Sequence, residues 1–259
     1  MSRRPYWLRG RRLGIALIVL VFVVWELAVD LRIVTSPNWP AVSDILYAGV
    51  GATRDGEVFV ALANTLFRTV AGFVLGAIAA VALGMLMVSS SFIRRMLEPT
   101  IELLRPMPVP ALIPPLILLL GSGDTMKVST VAFAVFFPVL VNTVQGGLSV
   151  EPTYRGVAAT FGFSRFATTL KVILPATLPY VFAGLRISLA FALIICVVAE
   201  MIAGGSEDSM GLYIVYTQYA GRVGEMYFAV FLIGLCGYAI NRLFLMIEQT
   251  LLFWHHVKT

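Results

Sequence analysis

Histidine is nearly absent from this chain. Of 259 residues only His255 and His256 are histidine, side by side near the C-terminal end. Neighbours in sequence do not share a helix face, so no metal site is expected there. A Ser–His or Cys–His pair within the body of the chain has no histidine to draw on. Cysteine is equally scarce: Cys196 and Cys236 both sit inside apolar runs and read as small core residues, not as a disulfide framework. No glycine directly precedes a lysine, so there is no G-x-x-x-x-G-K-[ST] and no P-loop for ATP. H-E-x-x-H and G-x-S-x-G are also missing, which argues against an intramembrane protease or lipid hydrolase. Charged residues make up only 13%, against about a quarter in soluble domains. No nucleic-acid motif or basic stripe with interleaved aromatics occurs, so no nucleic-acid partner is expected despite the net charge of +5. No cofactor or metal of its own is expected for the chain.

What is present is apolar. Hydrophobic residues make up 59% and mean hydropathy is +0.90. A spanning helix needs about 20 mostly apolar residues. Six candidates follow: Leu13–Val34, Thr65–Val88, Leu97–Leu120, Lys127–Gly147, Pro175–Ala203 and Tyr227–Phe253. The expected fold class is all-α, a polytopic membrane protein with about six transmembrane helices. Residues 1–12 form a basic tail, 13–253 a single transmembrane domain, and 254–259 a second tail. The N-terminal apolar run is too long for a secretory signal and reads as a retained span.

Basic residues set the orientation. Arg3, Arg4, Arg9, Arg11 and Arg12 precede the first span, Arg94 and Arg95 lie between the second and third, and Arg155, Arg165 and Lys171 between the fourth and fifth. Alternating spans put all of these on one side, together with Lys258 in the last tail. Arg32, Arg54, Arg68, Lys127 and Arg222 fall on the other side, diluted by acids. Both termini are therefore expected in the cytoplasm.

The third span is irregular. It contains Pro106, Pro108, Pro110, Pro114 and Pro115, each removing a backbone donor. Irregular backbone at membrane depth is tolerated only against protein or a wet cavity. Two readings stay open, a broken helix near a permeation path and a kinked packing helix. Gly72 and Gly76 form a G-x-x-x-G that suits close helix packing. Deep acids are few. Glu26 and Asp30 share a face of the first span, while Arg186 and Glu200 in the fifth are about 21 Å apart along a helix, too far to pair within it.

The loop within residues 148–174 is polar yet helix-compatible. Tyr154, Val157, Ala158 and Phe161 recur at helical spacing, Gly162 ends the helix, and a second stretch leads to Pro175, where a new helix is expected to open. A cytoplasmic amphipathic helix of this kind can lie on lipid or dock into a partner. Joined to a span, it would serve as a lever for a motor that this chain lacks.

The loop resembles the signature of bacterial ABC importer permeases: E-A-A, three residues, G, nine residues, I-x-L-P. Gly156-Val157-Ala158 occupies the E-A-A place, Gly162 follows after three residues, and Val172-Ile173-Leu174-Pro175 after nine more. Gly156 replaces the usual acid. The stretches Asn64–Gly84, Leu103–Asp124, Phe136–Gly146 and Leu174–Met201, with MGLYI around Gly211, resemble the branch that serves nitrate, sulfonates, taurine, bicarbonate and some small organic ligands. The resemblance implies a type I importer permease fold in a bacterial plasma membrane. It implies a non-catalytic, path-forming subunit with two cytoplasmic ATPases that bind ATP and Mg, a second permease subunit, identical or homologous, and an extracytoplasmic binding protein.

The coupling helix would be about Glu151–Phe161. The coupling residues so implied are Tyr154, Arg155, Gly156, Val157, Ala158, Ala159, Thr160, Phe161, Gly162, Phe163, Leu174 and Pro175. Candidate path residues are Arg105, Met107, Asn142, Gln145, Arg186 and Glu200, for a small solute such as an anion. An ion-coupled secondary transporter is the competing class, and would call for internal repeats and deep carboxylates. A non-transport scaffold is the third.

Overall fold

The computed structural model of the chain describes residues 6–54, 56–204 and 208–253, with side chains from residue 13 onward. Arg3, Arg4, Asp55, Glu207, His255, His256 and Lys258 lie outside these, as do the side chains of Arg9, Arg11 and Arg12. Among the described residues the fold is all-helical, with no strand. In chain order the helices are α1 Tyr6–Asp30, α2 Val42–Arg54, α3 Glu57–Ser89, α4 Ser91–Leu104, α5 Ile113–Leu120, α6 Asp124–Leu148, α7 Pro152–Thr160, α8 Arg165–Thr168, α9 Leu174–Ala203, α10 Met210–Tyr219 and α11 Val223–Leu251. A 3-10 turn, Val109–Leu112, precedes α5, and a π turn, Thr169–Ile173, joins α8 to α9.

Among the described residues five helical stretches are long and apolar enough to cross a membrane: Leu13–Asp30, Glu57–Ser89, Asp124–Leu148, Arg165–Ala203 and Val223–Leu251. The third predicted span, Leu97–Leu120, is not one helix. It is α4 and the Val109–Leu120 segment, bent by 92° across a short break. Proline supplies the reason. Pro106, Pro108 and Pro110 lack the N–H groups that would continue α4. Pro108, ahead of the 3-10 turn, is extended, with ψ 109. The eight residues of α5 rise about 12 Å, short of the roughly 30 Å hydrocarbon core. Helix α4 is amphipathic: Ile93, Leu97 and Ile101, four residues apart, pack on the core, while Arg94, Arg95, Glu98 and Glu102 take other faces. Of the two readings of this proline-rich segment, the structure has the broken helix.

The chain divides into two compact units. The first comprises the residues up to Phe59 together with Tyr213–Leu232. Within it, Glu26 on α1 accepts from the backbone N–H groups of Val42 (2.7 Å) and Ser43 (3.2 Å), so an acid from the first span caps the start of α2. Trp25 donates to the Pro40 carbonyl and lies among Trp39, Tyr227 and Phe231.

The second unit comprises Val60–Leu212 and the residues from Ile233 onward. Its centre is the antiparallel-linked pair α6 and α9, with α3 packed beside it. Ala80, Met87, Val131, Val135, Val139, Leu140, Ala192, Ile195 and Cys196 form the buried core. Gly72 and Gly76 explain the close approach of α3: a Cβ on Gly72 would meet Val131, and one on Gly76 the Ala132 carbonyl. The G-x-x-x-G is thus a packing device.

Candidate functional site

Three features of the second unit bear on function: a capped loop, a buried ionic cluster and a cavity at the helix break.

The loop is built as follows. Pro152 occupies the first turn of α7, where its missing N–H costs nothing. Gly162 stops the helix with φ +74. Phe163 N–H donates to Ala158 O and Gly162 N–H to Ala159 O, both 3.0 Å, which is a Schellman closure. Ser164 then caps α8 by accepting from Ala167 N–H at 3.2 Å. Tyr154, Val157 and Phe161 are exposed, Phe161 at 76%, whereas Ala158 is buried at 3%. The predicted stripe is therefore split, with Ala158 turned inward and the larger three left outward. Arg155 is half-buried and reaches the Gly147 carbonyl at 3.3 Å, one of the unpaired acceptors ending α6. Gly156, Ala159, Thr160, Gly162 and Phe163 lie at the surface. A Cβ on Gly156 would meet nothing within 4 Å, so packing does not demand glycine there.

Pro175 stands in the first turn of α9, as expected, but α9 does not open afresh: α8, the π turn and α9 form one continuous helical run from Arg165 through Ala203. Proline leaves a different mark. Pro175 has no N–H for the Lys171 carbonyl and its ring crowds that turn, and the helix widens into the π turn just before it. Leu174 N–H there reaches Thr169 O five residues back. Ile173 anchors this turn among Met85 and Val88, and the Ser89 and Thr169 hydroxyls meet at 2.9 Å. Leu174 is half-buried and Pro175 exposed.

The ionic cluster centres on Glu200, which is fully buried. Arg68 Nη1 donates to Glu200 Oε1 at 2.9 Å, and Arg68 Nε to Asp124 Oδ1 at 2.7 Å. The Thr65 hydroxyl lies 2.8 Å from Glu200 Oε2 and accepts from Met210 N–H at 3.0 Å. Gly211 N–H donates to Glu200 Oε2 at 3.1 Å. A carboxylate from α9 and a hydroxyl from α3 thus cap the start of α10, where unpaired N–H groups and the helix dipole favour negative charge. Gly211 is needed for this: a Cβ there would crowd the Val197 carbonyl and Glu200 Cβ. Lys127 is buried close by, and its Nζ has no hydrogen-bond partner among the described residues.

Sequence reasoning named Glu200 but missed Arg68, Thr65, Asp124 and Lys127 as its surroundings. A signal existed: Arg68 is the only cation of α3, and an ionisable residue inside a span implies a partner. Arg186, considered beside Glu200, instead approaches Glu248 at 3.7 Å with half its side chain exposed.

The cavity, about 470 Å³, lies at the break. Arg105, Met107, Val109 and Pro110 come from the break, Phe133, Phe137 and Asn142 from α6, and Ile187, Phe191 and Ile195 from α9. Three predicted path residues, Arg105, Met107 and Asn142, are brought together here. Gln145, Arg186 and Glu200 do not line it. Asn142 donates to the Pro138 carbonyl at 2.8 Å.

A multi-pass helical bundle with a loop feeding straight into a span is the architecture of a polytopic membrane protein. The chain belongs to the family described as binding-protein-dependent transport system inner membrane component, which matches residues 72–252. It is thus a non-enzymatic, multi-pass component of an ABC importer. Among its relatives is the nitrate import permease protein NrtB of Leptolyngbya laminosa, 31% identical over 81% of this chain and 74% of the relative. A protein of Bacillus subtilis (strain 168) named for aliphatic sulfonates transport, SsuC, is 28% identical over 98% of this chain and 91% of its own. An ABC transporter permease protein of Methanocaldococcus jannaschii is 30% identical over 93% and 91%.

Proposed function

We propose that this permease carries a small anion of the nitrate or sulfonate kind into the cytoplasm, driven by an ATPase dimer that docks on α7. Both termini and the loop 148–174 face the cytoplasm in this reading, and a binding protein delivers the solute from the opposite side. A second permease subunit, identical or homologous, completes the path. ATP and Mg belong to the ATPase, and this chain holds no cofactor. Arg105, Met107 and Asn142 contribute to the path.

The observation that carries the docking role is the outward row of Tyr154, Val157 and Phe161 on a helix that opens at Pro152 and is closed by the Gly162 turn. Apolar side chains held rigidly off the bundle suit a partner's groove. The helical run from Arg165 to Ala203 then transmits a push to the bundle without a flexible linker. Gly156 in place of the signature acid removes a charged contact, so docking rests on the apolar row. The ion-coupled alternative calls for deep carboxylates at the path, whereas the buried Glu200 is hydrogen-bonded by Arg68, Thr65 and Gly211 and does not line the cavity.

The test is affinity purification of the tagged chain from its native membrane, with identification of bound proteins and an ATP hydrolysis assay. An ATPase that co-purifies with the wild type and is lost from Phe161→Asp is the expected outcome. A chain that comes down without any ATPase, and vesicles without ATP-dependent flux, would sink the proposal and bring the ion-coupled carrier forward.

A further inference from the structure

We infer that Asp124 is a switchable link between α3 and α6: bonded to Arg68 in this structure, it turns to Lys127 on its own helix when the subunit changes state. The inference rests on the importer reading above, which supplies the change of state, and adds a moving part to it.

Lys127 is the unusual residue. It is fully buried, and its Nζ makes no hydrogen bond and no ion pair among the described residues. A buried ammonium left in this way is costly, because nothing replaces the hydration it has lost. Yet Arg68, Glu200 and Asp124 all lie within electrostatic reach of it. Two cations and two carboxylates are thus gathered at one place, and Lys127 stands idle among them.

Glu200 is not available to Lys127. It is fully buried, and its oxygens already take Arg68 Nη1, the Thr65 hydroxyl and Gly211 N–H. Asp124 differs on both counts. Its side chain is 62% exposed, and its Oδ1 takes Arg68 Nε at 2.7 Å. It stands three residues before Lys127 on α6, a spacing that puts the two on one helix face. Helical side chains lean toward the helix N-terminus, so Lys127 leans toward the turn that carries Asp124. The exchange asks only for a new Asp124 rotamer and leaves the backbone of α6 as it is.

Charge stays balanced on both sides of the exchange. Arg68 keeps Glu200, so the buried carboxylate is never left alone, and Lys127 gains the acid it lacks. The mechanical result is different. The Arg68–Asp124 bond ties α3 to α6, whereas an Asp124–Lys127 bond lies within α6 and ties it to nothing. Arg68 and Thr65 hold α3 to Glu200 of α9 throughout. Turning Asp124 thus frees this end of α6 from α3 while α3 and α9 stay joined. Two packings that differ by one ion pair make a bistable element. In the proposed orientation this end of α6 faces the side from which the binding protein delivers solute.

Two double-mutant cycles on the complex with its co-purified ATPase test the switch. The thermal midpoint of the tagged chain is followed through its tag in detergent, without nucleotide and after arrest with ATP, Mg and vanadate. One cycle combines Arg68→Gln with Asp124→Asn, the other Asp124→Asn with Lys127→Met. In one state Arg68 and Asp124 are expected to couple by about 2–4 °C while Asp124 and Lys127 do not. In the other state the pattern reverses. Lys127→Met alone should leave the midpoint equal or higher where Lys127 is idle, and lower it where Lys127 is paired. The same coupling pattern in both states overturns the inference. So does a Lys127→Met chain that fails to fold or loses stability in both states, since its ammonium is then paired throughout. ATPase co-purification is scored in the same samples. An unchanged pattern with the ATPase retained sinks only the switch, and an absent ATPase sinks the importer reading and the switch with it.

Discussion

Arg68 holds two carboxylates at once, and one of them, Glu200, is wholly buried. Removing one member of a buried pair leaves an uncompensated charge, at a cost of roughly 3–5 kcal/mol. Arg68→Ala should therefore lower the thermal unfolding midpoint in detergent markedly. Adding Glu200→Gln on top should restore part of the loss, because the stranded charge goes with it. Additive losses in the double variant would show that the pair is not coupled. Gly156 is the opposite case. Open space surrounds its Cα on the side where a Cβ would point, and glycine within a helix costs roughly 0.5–1 kcal/mol relative to alanine. Gly156→Ala should stabilise α7 by about that amount, read as slower amide exchange across 152–160. Gly156→Glu should be tolerated and should tighten ATPase retention if the signature acid acts by contact with the partner.

At the level of elements, the π turn Thr169–Ile173 is the joint between loop and span. Its cause is Pro175, which deprives the preceding turn of a donor. π bulges recur at functional sites. Pro175→Ala restores the N–H and lets an ordinary α turn form, with about 100° between successive residues in place of the wider π spacing. The loop is then turned relative to α9. The expected result is an ATPase that still co-purifies but whose hydrolysis no longer responds to solute. Hydrolysis and uptake coupled as in the wild type would mean that the joint is passive. The proline-rich break teaches a related lesson. Hydropathy counted Leu97–Leu120 as a span because it averages over the break. The steric demands of successive prolines turn it by 92°, and Arg105, Met107 and Val109 meet the cavity because of that turn.

For the molecule as a whole, the proposed orientation rests on the arginine asymmetry and is directly testable. In a background lacking Cys196 and Cys236, a cysteine at Phe163 should react with a membrane-impermeant maleimide only from the cytoplasmic side. One at Tyr47 should react only from the outside. Both positions are exposed, at 42% and 84%. The reverse pattern would invert the topology and remove the loop from the ATPase.

Helix class, most spans, the loop with its glycine stop and the family signature were legible in the sequence. Each depends on local periodicity or on residues a few positions apart, which chain order alone constrains. The failures share a cause. Glu200 meets Arg68 across 132 positions and Thr65 across 135, and Met210 meets Thr65 across 145. Arg186, too distant along α9 to pair with Glu200, approaches Glu248 of α11, a partner that chain order does not point to. Of the six path candidates, three line one cavity and three do not, since only the packing of α6 and α9 against the break decides which side chains face each other. The sequence by itself determined what kind of protein this is, because membrane burial and helix capping are written in short-range patterns. Only the tertiary structure decided which charges pair and which residues enclose the cavity, because those partnerships are made by helices that meet through packing, not through sequence proximity.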